Sequence, residues 1–426
     1  MKNSNIQWIG EIPDNWEVLK NKYNFELSKE IVGVKSTSTQ LLSLTKNGIK
    51  AITEDQQNGK VPASFNTYQV VKKDDIVMCL FDLDVSAVFS GISNYDGMIS
   101  PAYKCFKCKP HLNPKYVDYY FRAVFVDRKY KRYSKNVRYS ISAEEFMTLP
   151  ILVPPLATQT SIATYLDAKC SEIDGLIADI NKQIETLNEL KKSTITEAVT
   201  KGLNKNAKLK DSGIQWIGMI PEGWRVSRVK YLGKSQNGIS KGGEFFGEGF
   251  PFVSYGDVYK NISIPNKVEG LIRSTQQEQI NYSVKYGDIF FTRTSETIEE
   301  IGFSSVCLSS IDNAVFAGFL IRFRPTDLNI LSPNYSKYYF RSDIHRKYFV
   351  KEMNLVTRAS LSQFLLGRLP VLLPPLTEQR AIATYLDTKC LEFDSIISDK
   401  QNQISTLEAY KKSLIYEYVT GKKKVE

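Results

Sequence analysis

Histidine is almost absent from this sequence. The 426 residues contain two, His111 and His345, which is too few for a histidine-based zinc protease site or a conventional catalytic triad. Cysteine- and carboxylate-based chemistry stays open on these counts alone. A nuclease centre would need a set of acidic partners, and we find only acidic-x-Lys triplets such as Glu189-Leu-Lys191, which lie on a predicted helix surface.

Cysteine is also scarce. The six residues show no disulfide spacing, which is typical of proteins in a reducing compartment. The stretch Cys105-x-x-Cys108-x-x-His111 has the spacing of half a zinc site. Because no second Cys/His pair completes it, we favour an ordinary strand end at this point and expect no metal.

Long apolar runs are missing as well. No stretch approaches the length of a membrane span, and the N-terminal residues MKNSNIQWIGEIPDNW lack the apolar segment of a secretory signal. We therefore expect a cytoplasmic protein without a membrane partner. The composition is that of a folded chain, and 426 residues exceed one ordinary core. The net charge of +10 favours an anionic partner, nucleic acid before membrane.

The sequence does contain a tandem repeat. Residues 149–200 and 369–420 are identical at 30 of 52 positions, at a constant offset of 220 and without a gap. Each copy opens with a proline pair, Pro154-Pro155 or Pro374-Pro375, which ends the preceding element and lets a helix begin. Apolar residues then recur with a 3.5-residue period for about three to four heptads, which predicts a coiled-coil stripe on a helix about 60 Å long.

We expect the two stripes to pair with each other, antiparallel if a pseudo-twofold axis relates the repeats. The alternative, two unrelated surface helices, is a less simple explanation of two near-identical stripes in one chain. The residues predicted to pair the helices are Ile173, Ile177, Ile180, Ile184, Leu187, Phe393, Ile397, Ile404, Leu407 and Leu414.

The repeat extends beyond the helices. The segment from Ile6 to Trp16 returns as Ile214 to Trp224, and these two segments contain all four tryptophans of the chain. We call these two segments the clasps, and we interpret them as packing elements rather than as surfaces that bind a ligand. The predicted segments are a first body at 1–153, a helix at 154–200, a polar linker at 201–213, a second body at 214–373, a helix at 374–420 and a basic tail at 421–426.

Both bodies alternate short Val-, Ile-, Phe- and Tyr-rich runs with turns, which predicts strands and hairpins. Counterpart turns precede Ile76 and Ile289. We interpret Gly242-Gly243 with Gly247-x-Gly249 as a flexible loop, because no strand-glycine-helix dinucleotide fingerprint surrounds them.

Each body also contains an aromatic, basic helical stretch followed by a shared string, Arg138-Tyr-Ser140-Ile-Ser142 or Arg358-Ala-Ser360-Leu-Ser362. An arginine followed by hydroxyls suits phosphate or base-edge contacts, whereas the same serines are good helix N-caps. Both interpretations stay open. The predicted DNA contacts are Lys135, Arg138, Tyr139 and Ser140 in the first body, and Lys241, Arg293, Thr294, Arg358 and Ser360 in the second.

The clasp WIGxIPxxW, the helix opening LPxxxPPLxxQxxIAxYLDxK and the duplicated order resemble the specificity subunit of type I restriction–modification systems. The resemblance covers nearly the whole chain. It implies an α/β (α+β) fold in which two globular target recognition domains are joined by two long antiparallel coiled-coil helices. Each domain would read one half of a split, asymmetric target in double-stranded DNA. The helices would space the domains and help to recruit two modification (methyltransferase) subunits, which methylate adenine at N6, together with restriction subunits.

The chain lacks the motifs that such chemistry requires. No Asn/Asp-Pro-Pro-Tyr/Phe loop is present, and Gly233-Lys-Ser235 is preceded by Arg228 where a phosphate loop needs glycine. We therefore expect a non-catalytic DNA reader without a cofactor of its own, whose S-adenosylmethionine, ATP and Mg²⁺ are bound by partner subunits. A coiled-coil interaction scaffold without DNA readout is the alternative, and a self-sufficient methyltransferase or nuclease is a third hypothesis.

Overall fold

The computed structural model describes residues 1–46, 48–56, 62, 64–86, 88–126, 128–134, 139–295, 301–345, 348–349 and 359–425. The chain divides into two compact units: the first combines residues 1–181 with 401–426, and the second comprises residues 182–400. This division falls inside both long helices, so each unit contains one half of each helix. The sequence predicts six consecutive segments, which differ from these two units, and the predicted boundaries stay a prediction.

The first unit is built mainly from short strands. These are β1 (Lys2–Asn3), β2 (Glu11–Ile12), β3 (Glu17–Lys20), β4 (Phe25–Leu27), β5 (Leu42–Thr45), β6 (Gly48–Ala51), β7 (Gln69–Val71), β8 (Ile76–Met78), β9 (Ser90–Ile92), β10 (Gly97–Ile99), β11 (Lys104–Cys108) and β12 (Pro150–Val153). Its α-helices are α1 (Asn21–Asn24), α2 (Pro114–Val126), α3 (Ala143–Thr148) and the first part of α4 (Leu156–Lys201). Short 3₁₀ helices lie at Gly33–Ser38, Glu54–Gln56 and Lys129–Tyr133.

An antiparallel sheet in the order β4–β11–β8–β9 forms the centre of the first unit. Its strand β8 is buried at every position. Side chains alternate between the two faces of a strand. Accordingly, Ile76 and Met78 pack in the cluster that includes α2, whereas Val77 packs in a separate cluster with Leu42 and Leu44. Both faces of this sheet are therefore covered.

The second unit follows the same plan with additional elements. Its strands are β13 (Leu209–Asp211), β14 (Met219–Pro221), β15 (Arg225–Arg228), β16 (Gly233–Asn237), β17 (Phe246–Val253), β18 (Leu271–Ile272), β19 (Ile289–Thr292), β20 (Thr294–Ser295), β21 (Ser304–Val306), β22 (Val315–Phe316), β23 (Leu320–Pro325), β24 (Ala359–Ser360) and β25 (Pro370–Leu373). Its α-helices are α5 (Val229–Leu232), α6 (Tyr255–Lys260), α7 (Gln276–Asn281), α8 (Pro333–Tyr339), α9 (Gln363–Arg368) and α10 (Leu376–Val419), of which the second unit contains the first part. Short 3₁₀ helices lie at Gly243–Phe245 and Asp343–His345.

The central sheet of the second unit has the equivalent antiparallel order β16–β23–β19–β21. The strands β8 and β19 also begin in the same way. Asp75 accepts a hydrogen bond from the backbone N–H of Lys72 at 2.8 Å, and Asp288 accepts one from that of Lys285 at 2.7 Å. These are the turns that the sequence predicts as counterparts. The predicted fold class, mixed α and β structure in a tandem repeat with two long helices, is confirmed.

The glycine-rich stretch of the second unit differs from its prediction as a flexible loop. Gly247 and Gly249 lie within β17, which pairs with β18. Both have positive φ angles, +99° and +105°, at a shift of register between Phe246 and Phe250. Glycine adopts such angles without steric cost, so these residues shape a bulged strand. The flexible-loop prediction was wrong because composition alone does not distinguish a bulge from a loop.

Within each unit the halves of α4 and α10 lie side by side and antiparallel. In the first unit, Asp174 pairs with Lys411 at 2.6 Å, and the rings of Tyr165 and Tyr418 are 4.6 Å apart. Residue numbers rise along one helix as they fall along the other, which defines an antiparallel pair. The lysine lies in the apolar stripe and directs its ammonium to a carboxylate at the edge.

The second unit repeats this pairing. Lys191 pairs with Asp394 at 2.6 Å, which is the same ion pair displaced by the repeat offset of 220, and Lys400 donates to Gln183. The stripe itself follows the predicted 3.5-residue period. The predicted pairing residues are buried or half-buried: Ile173, Ile177, Ile180, Ile184, Leu187, Phe393, Ile397, Ile404, Leu407 and Leu414.

The repeated glutamine after each proline pair ties its helix to the body of the same unit. Gln159 accepts from the N–H of Asn113 at 2.8 Å and donates to the carbonyls of His111 and Pro154. Gln379 makes the equivalent three bonds, accepting from the N–H of Ser332 at 2.9 Å. Both amides are almost fully buried. Since all their polar atoms are paired, replacing either would leave buried backbone groups without partners.

The aspartate of the YLD motif provides a second tie. Asp167 accepts from the hydroxyl of Tyr119 at 2.8 Å and pairs with Lys115 at 2.6 Å. Its counterpart Asp387 accepts from the hydroxyl of Tyr338 at 2.6 Å and pairs with Lys337. The motif therefore fixes α2 and α8 against the long helices in the two units.

Each unit is completed by the far end of the other repeat's helix. In the first unit the hydroxyl of Tyr116 donates to the carbonyl of Val419 at 3.2 Å. In the second unit Tyr335 donates to the carbonyl of Val199 at 3.4 Å. The clasp tryptophans Trp16 and Trp224 are buried in these clusters, so their interpretation as packing residues is confirmed.

The glycines after the long helices allow this closure. A Cβ atom on Gly421, whose φ is +72°, would lie 2.4 Å from Cδ of Pro13. We expect Gly421→Ala to lower the free energy of unfolding by at least about 1–2 kcal/mol, because left-handed backbone strain adds to this clash. Gly175→Ala is the matched control, since this exposed helical glycine has nothing within 4 Å of a Cβ. It should gain about 0.5–1 kcal/mol. Urea unfolding measures both, and equal shifts would contradict the packing argument.

No helix in the described ranges is long and apolar enough to cross a membrane.

Candidate nucleic-acid interface

The described part of the shared string, residues 139–142, lies beside the end of the central strand β8 in the first unit. The N–H of Ile141 donates to the carbonyl of Leu80 at 2.8 Å, and the N–H of Leu83 donates to that of Tyr139 at 3.2 Å. Leu80 follows β8 by two residues. These residues therefore lie along the edge of the central sheet at which β8 ends.

The second unit places its string at the equivalent edge. The N–H of Leu361 donates to the carbonyl of Arg293 at 2.7 Å, one residue beyond β19. Thr294 then pairs with Ser360, so that β20 and β24 form a short antiparallel ribbon. The structure thus brings together two predicted contact segments that are more than sixty residues apart in the sequence.

The last serine of each string caps a helix. Oγ of Ser142 accepts from the N–H of Glu145 at 3.1 Å, and the Glu145 carboxylate accepts from the N–H of Ser142 at 2.9 Å, which completes a capping box. Ser362 accepts from the N–H of Leu365 at 3.0 Å. The helix-cap interpretation is confirmed for these two serines, and it leaves the contact roles predicted for Ser140 and Ser360 untouched.

The predicted contacts of the first body lie close to a basic 3₁₀ helix. Tyr139 has a left-handed backbone, φ +47°, and Nζ of Lys131 lies 4.1 Å from its ring centroid. Ser140 is half-buried, and its carbonyl accepts from the hydroxyl of Ser134 at 3.2 Å. Lys135 and Arg138 lie outside the described residues. The DNA contacts predicted here stay predictions.

The predicted contacts of the second body differ in accessibility. Arg293 and Thr294 are half-buried, and Ser360 is exposed. In the part of the chain that the structure describes, no acceptor lies within hydrogen-bond distance of the Arg293 guanidinium. Arg358 lies outside the described residues. This edge therefore presents a cation and two hydroxyl side chains together.

Lys241 is engaged within the protein. Its ammonium donates to the carbonyl of Arg273 at 2.9 Å and pairs with Glu278 at 2.7 Å, and its side chain is 13% exposed. The hydrogen bond from Lys241, followed by that from the backbone N–H of Thr275, lowers the pKa of the Glu278 carboxyl. Contact with DNA would require this pair to break, so the geometry favours Lys241 as an anchor of the β16–β17 connection. The predicted DNA contact of Lys241 stays a prediction without geometric support.

Sequence reasoning missed an aromatic residue at the same edge. Phe319 lies in the turn between β22 and β23, is 64% exposed, and accepts a hydrogen bond from the N–H of Arg293 at 2.9 Å. The only signal in the sequence is a Gly-Phe pair between two apolar runs, which does not reveal that the Phe side chain faces solvent.

A second candidate surface lies on the long helices, beside the pairing stripe. Leu176 in α4 and Tyr410 in α10 are exposed in the first unit, and Leu190 and Ile396 are exposed in the second, each at between 45% and 52%. The antiparallel register places each pair at about the same level of the two helices. Leu176 and Ile396, like Leu190 and Tyr410, are related by the repeat offset of 220. Each unit thus presents one apolar pair at an equivalent position.

The two cysteines that have the spacing of half a zinc site lie on an ordinary strand. Cys105 and Cys108 lie on β11, which ends at Cys108. Burial raises the pKa of both thiols to about 12, which disfavours the thiolate that would bind a metal. Among the described residues, no three or more His, Cys, Asp or Glu side chains are grouped so that they could hold a metal ion.

Comparisons with known proteins agree with this architecture. The type I restriction modification DNA specificity domain matches residues 13–186 and 221–406. A Methanocaldococcus jannaschii protein named as the type I restriction enzyme MjaX specificity subunit is 27% identical over 459 residues, which cover 98% of this chain and 96% of that protein.

Two solved structures resemble the chain in fold. One comes from a study of complex assembly and conformational transition of the type I R-M system, with a TM-score of 0.69 and 14% identity. The other is the HsdS subunit from Thermoanaerobacter tengcongensis, with a TM-score of 0.51 and 16% identity. Each comparison covers 96% of this chain and 98% of the solved chain.

Proposed function

This chain belongs to the type I restriction modification DNA specificity family, and from that membership we propose that it is a non-catalytic subunit that reads DNA on behalf of partner enzymes. The observation that supports this role best is the repeated placement of the described parts of the two shared strings, residues 139–142 and 359–362. In both units the string lies at the end of the central sheet, and in a chain of net charge +10 such an edge is suited to a polyanion.

The two bodies would read different half-sites. The first presents Tyr139 and Ser140 beside the basic 3₁₀ helix Lys129–Tyr133, whereas the second presents Arg293, Thr294 and Ser360. Because the side chains at the two edges differ, the half-sites they select should differ as well. Lysines and arginines would hold phosphates and set the register, while the ribbon and string residues would contact base edges in the major groove. The target is then bipartite and asymmetric.

The long helices would set the gap between half-sites and recruit the enzymes. The two equivalent apolar pairs, Leu176 with Tyr410 and Leu190 with Ile396, give the chain two similar docking positions. Two copies of one partner fit such a surface, and we assign them to two methyltransferase subunits that modify adenine at N6. Restriction subunits would complete the assembly. S-adenosylmethionine, ATP and Mg²⁺ would be bound by these partners, so no step of the chemistry needs a residue of this chain.

Mapping N6-methyladenine across a genome that expresses the chain with its partner methyltransferase tests this proposal. We expect one asymmetric bipartite motif with a fixed gap. The interaction scaffold is the alternative, and it predicts no motif that depends on this chain. A salt series of DNA affinity separates the two hypotheses, because only a DNA reader loses affinity steeply as salt rises.

The Arg293 side chain provides a residue-level test. We expect Arg293→Ala to weaken binding of the target by about 1–3 kcal/mol if the guanidinium reads a base, with relaxed selectivity at one position of the second half-site only. Affinity for targets and random duplex can be measured in parallel. An equal loss on both, with a shallower salt slope, would assign Arg293 to a phosphate instead. Arg228→Ala is the control for loss of one charge, because Arg228 is an exposed arginine of the second unit.

A further inference from the structure

Phe319 is an exposed aromatic residue held on a fixed turn. The N–H of Leu320 donates to the carbonyl of Ala317 at 3.0 Å, which closes the turn between β22 and β23. The N–H of Arg293 binds the Phe319 carbonyl at 2.9 Å. Phe319, which is 64% exposed, therefore extends from a backbone that is fixed on both sides.

Two glycines bring a second segment against this turn. A Cβ on Gly318 would lie 2.3 Å from Oγ of Ser240, and one on Gly238 would lie 2.1 Å from the carbonyl oxygen of Ala317. A side chain at Gly238 would push the two segments apart, and one at Gly318 would require the Ser240 hydroxyl to move. The close approach limits movement of the turn, so the aromatic ring is presented from a rigid support rather than from a loose loop.

The backbone of Phe319 also lies next to the ribbon formed by β20 and β24. Arg293 connects the two, because its N–H binds the Phe319 carbonyl and it directly precedes Thr294 of the ribbon. A two-stranded ribbon fits the width of the DNA major groove, and an apolar side chain there can contact the C5-methyl group of thymine. The fold thus brings Arg293, the ribbon pair Thr294 and Ser360, and the exposed Phe319 close together along the backbone at one edge.

We propose that Phe319 is a specificity-determining residue that contacts a thymine methyl group in the second half-site. This inference rests on the proposed function and adds the base that this edge selects. It also predicts a difference between the bodies. In the sheet register Phe323 pairs with Ile289 as Phe106 pairs with Ile76, so the position of Phe319 corresponds to Ala102 in the first body. On this proposal, the first half-site should show no thymine-methyl contact equivalent to that of Phe319.

Replacing thymine by uracil removes only the methyl group and tests this contact. The chain, in complex with its methyltransferase partner, is bound to its mapped target with uracil at each thymine of the second half-site in turn. We expect one substitution to weaken binding by about fourfold, the effect of one buried methyl group. The Phe319→Ala variant should bind the thymine target at least fourfold more weakly than the unaltered chain does. It should bind the thymine and uracil targets equally.

Phe364→Ala is the matched control, because Phe364 is also exposed, at 74%, in the second unit. It should keep the fourfold preference for thymine, and uracil in the first half-site should have the same effect in all variants. A second half-site without thymine, or an unchanged thymine preference in Phe319→Ala, would overturn the inference. An equal loss on random duplex would do so too, because it indicates a wedge between base pairs or a backbone contact. If the unaltered complex does not prefer its target over random DNA, the proposed function itself fails, which is a different result.

Discussion

If two methyltransferase subunits dock on the long helices as proposed, replacing Leu176 and Tyr410 together by glutamate should leave only one of them bound. Both side chains are exposed in the first unit, so their replacement should not disturb the fold. Burial of a large apolar side chain contributes about 1.5–3 kcal/mol. Losing two of them, and burying carboxylates in their place, should weaken docking by more than about a hundredfold. Native mass spectrometry of the purified complex counts the bound subunits.

The repeat provides the companion variant and the control. Leu190→Glu with Ile396→Glu should remove the other methyltransferase subunit, and the fourfold variant should bind none. Leu391→Glu adds a carboxylate at an exposed leucine of α10 that lies off the line of Ile396 and Tyr410, and it should still bind two. Two subunits on every variant would show that these pairs are not the docking surface. A chain that unfolds would be recognised by its circular dichroism and urea midpoint.

If the long helices set the gap between half-sites as proposed, lengthening both by one heptad should change which targets are methylated. Seven residues add about 10 Å to a helix, which corresponds to about three base pairs at ~3.4 Å each. The insertions belong between Asn181 and Lys182 in α4 and between Lys400 and Gln401 in α10, where the chain passes from one unit to the other. A heptad keeps the pairing stripe in register. Methylation of targets with systematically varied gaps should therefore show a preference longer by about three base pairs, with both half-sites unchanged.

The insertion has to be made in both helices. An insertion in α4 alone would make one connection between the units longer than α10 allows, and we expect it to weaken activity on every gap length. A heptad replaced by seven other residues with the same apolar pattern is the control for altered sequence at unaltered length. If the double insertion keeps the original gap preference, the long helices do not set the spacing of the half-sites.

Several features of this fold were available from the sequence because they depend on local physics. The 3.5-residue period identified the pairing stripe, since only residues on one face of a helix recur at that interval. The similarity of residues 149–200 to residues 369–420, which are identical at 30 of 52 positions, identified the duplication. The shared Asp at 75 and 288 marked turns that lead into corresponding strands, because a short carboxylate can bind a backbone N–H three residues away.

Other features could not be predicted because they depend on what a side chain meets after folding. Lys241 and Arg293 are both basic residues among turns, but Lys241 meets Glu278 and a carbonyl, whereas Arg293 remains at an edge. The same limitation applies to Phe319, since most phenylalanines of these bodies are buried and nothing in its local sequence sets it apart. Partners that are distant in sequence decide such cases.

The amino-acid sequence by itself determined that this protein is a duplicated α and β chain with two helices suited to pair, because repetition and periodicity are local properties. Only the tertiary structure decided how the repeats are combined. Tyr116 binds the carbonyl of Val419 and Tyr335 binds that of Val199, so each unit contains the end of the other repeat's helix. An antiparallel pair of helices requires this exchange, because the end of each helix lies beside the beginning of the other. The sequence predicted the antiparallel pair only on the assumption of a pseudo-twofold axis, and it could not show which residues meet, since these contacts join residues more than a hundred positions apart.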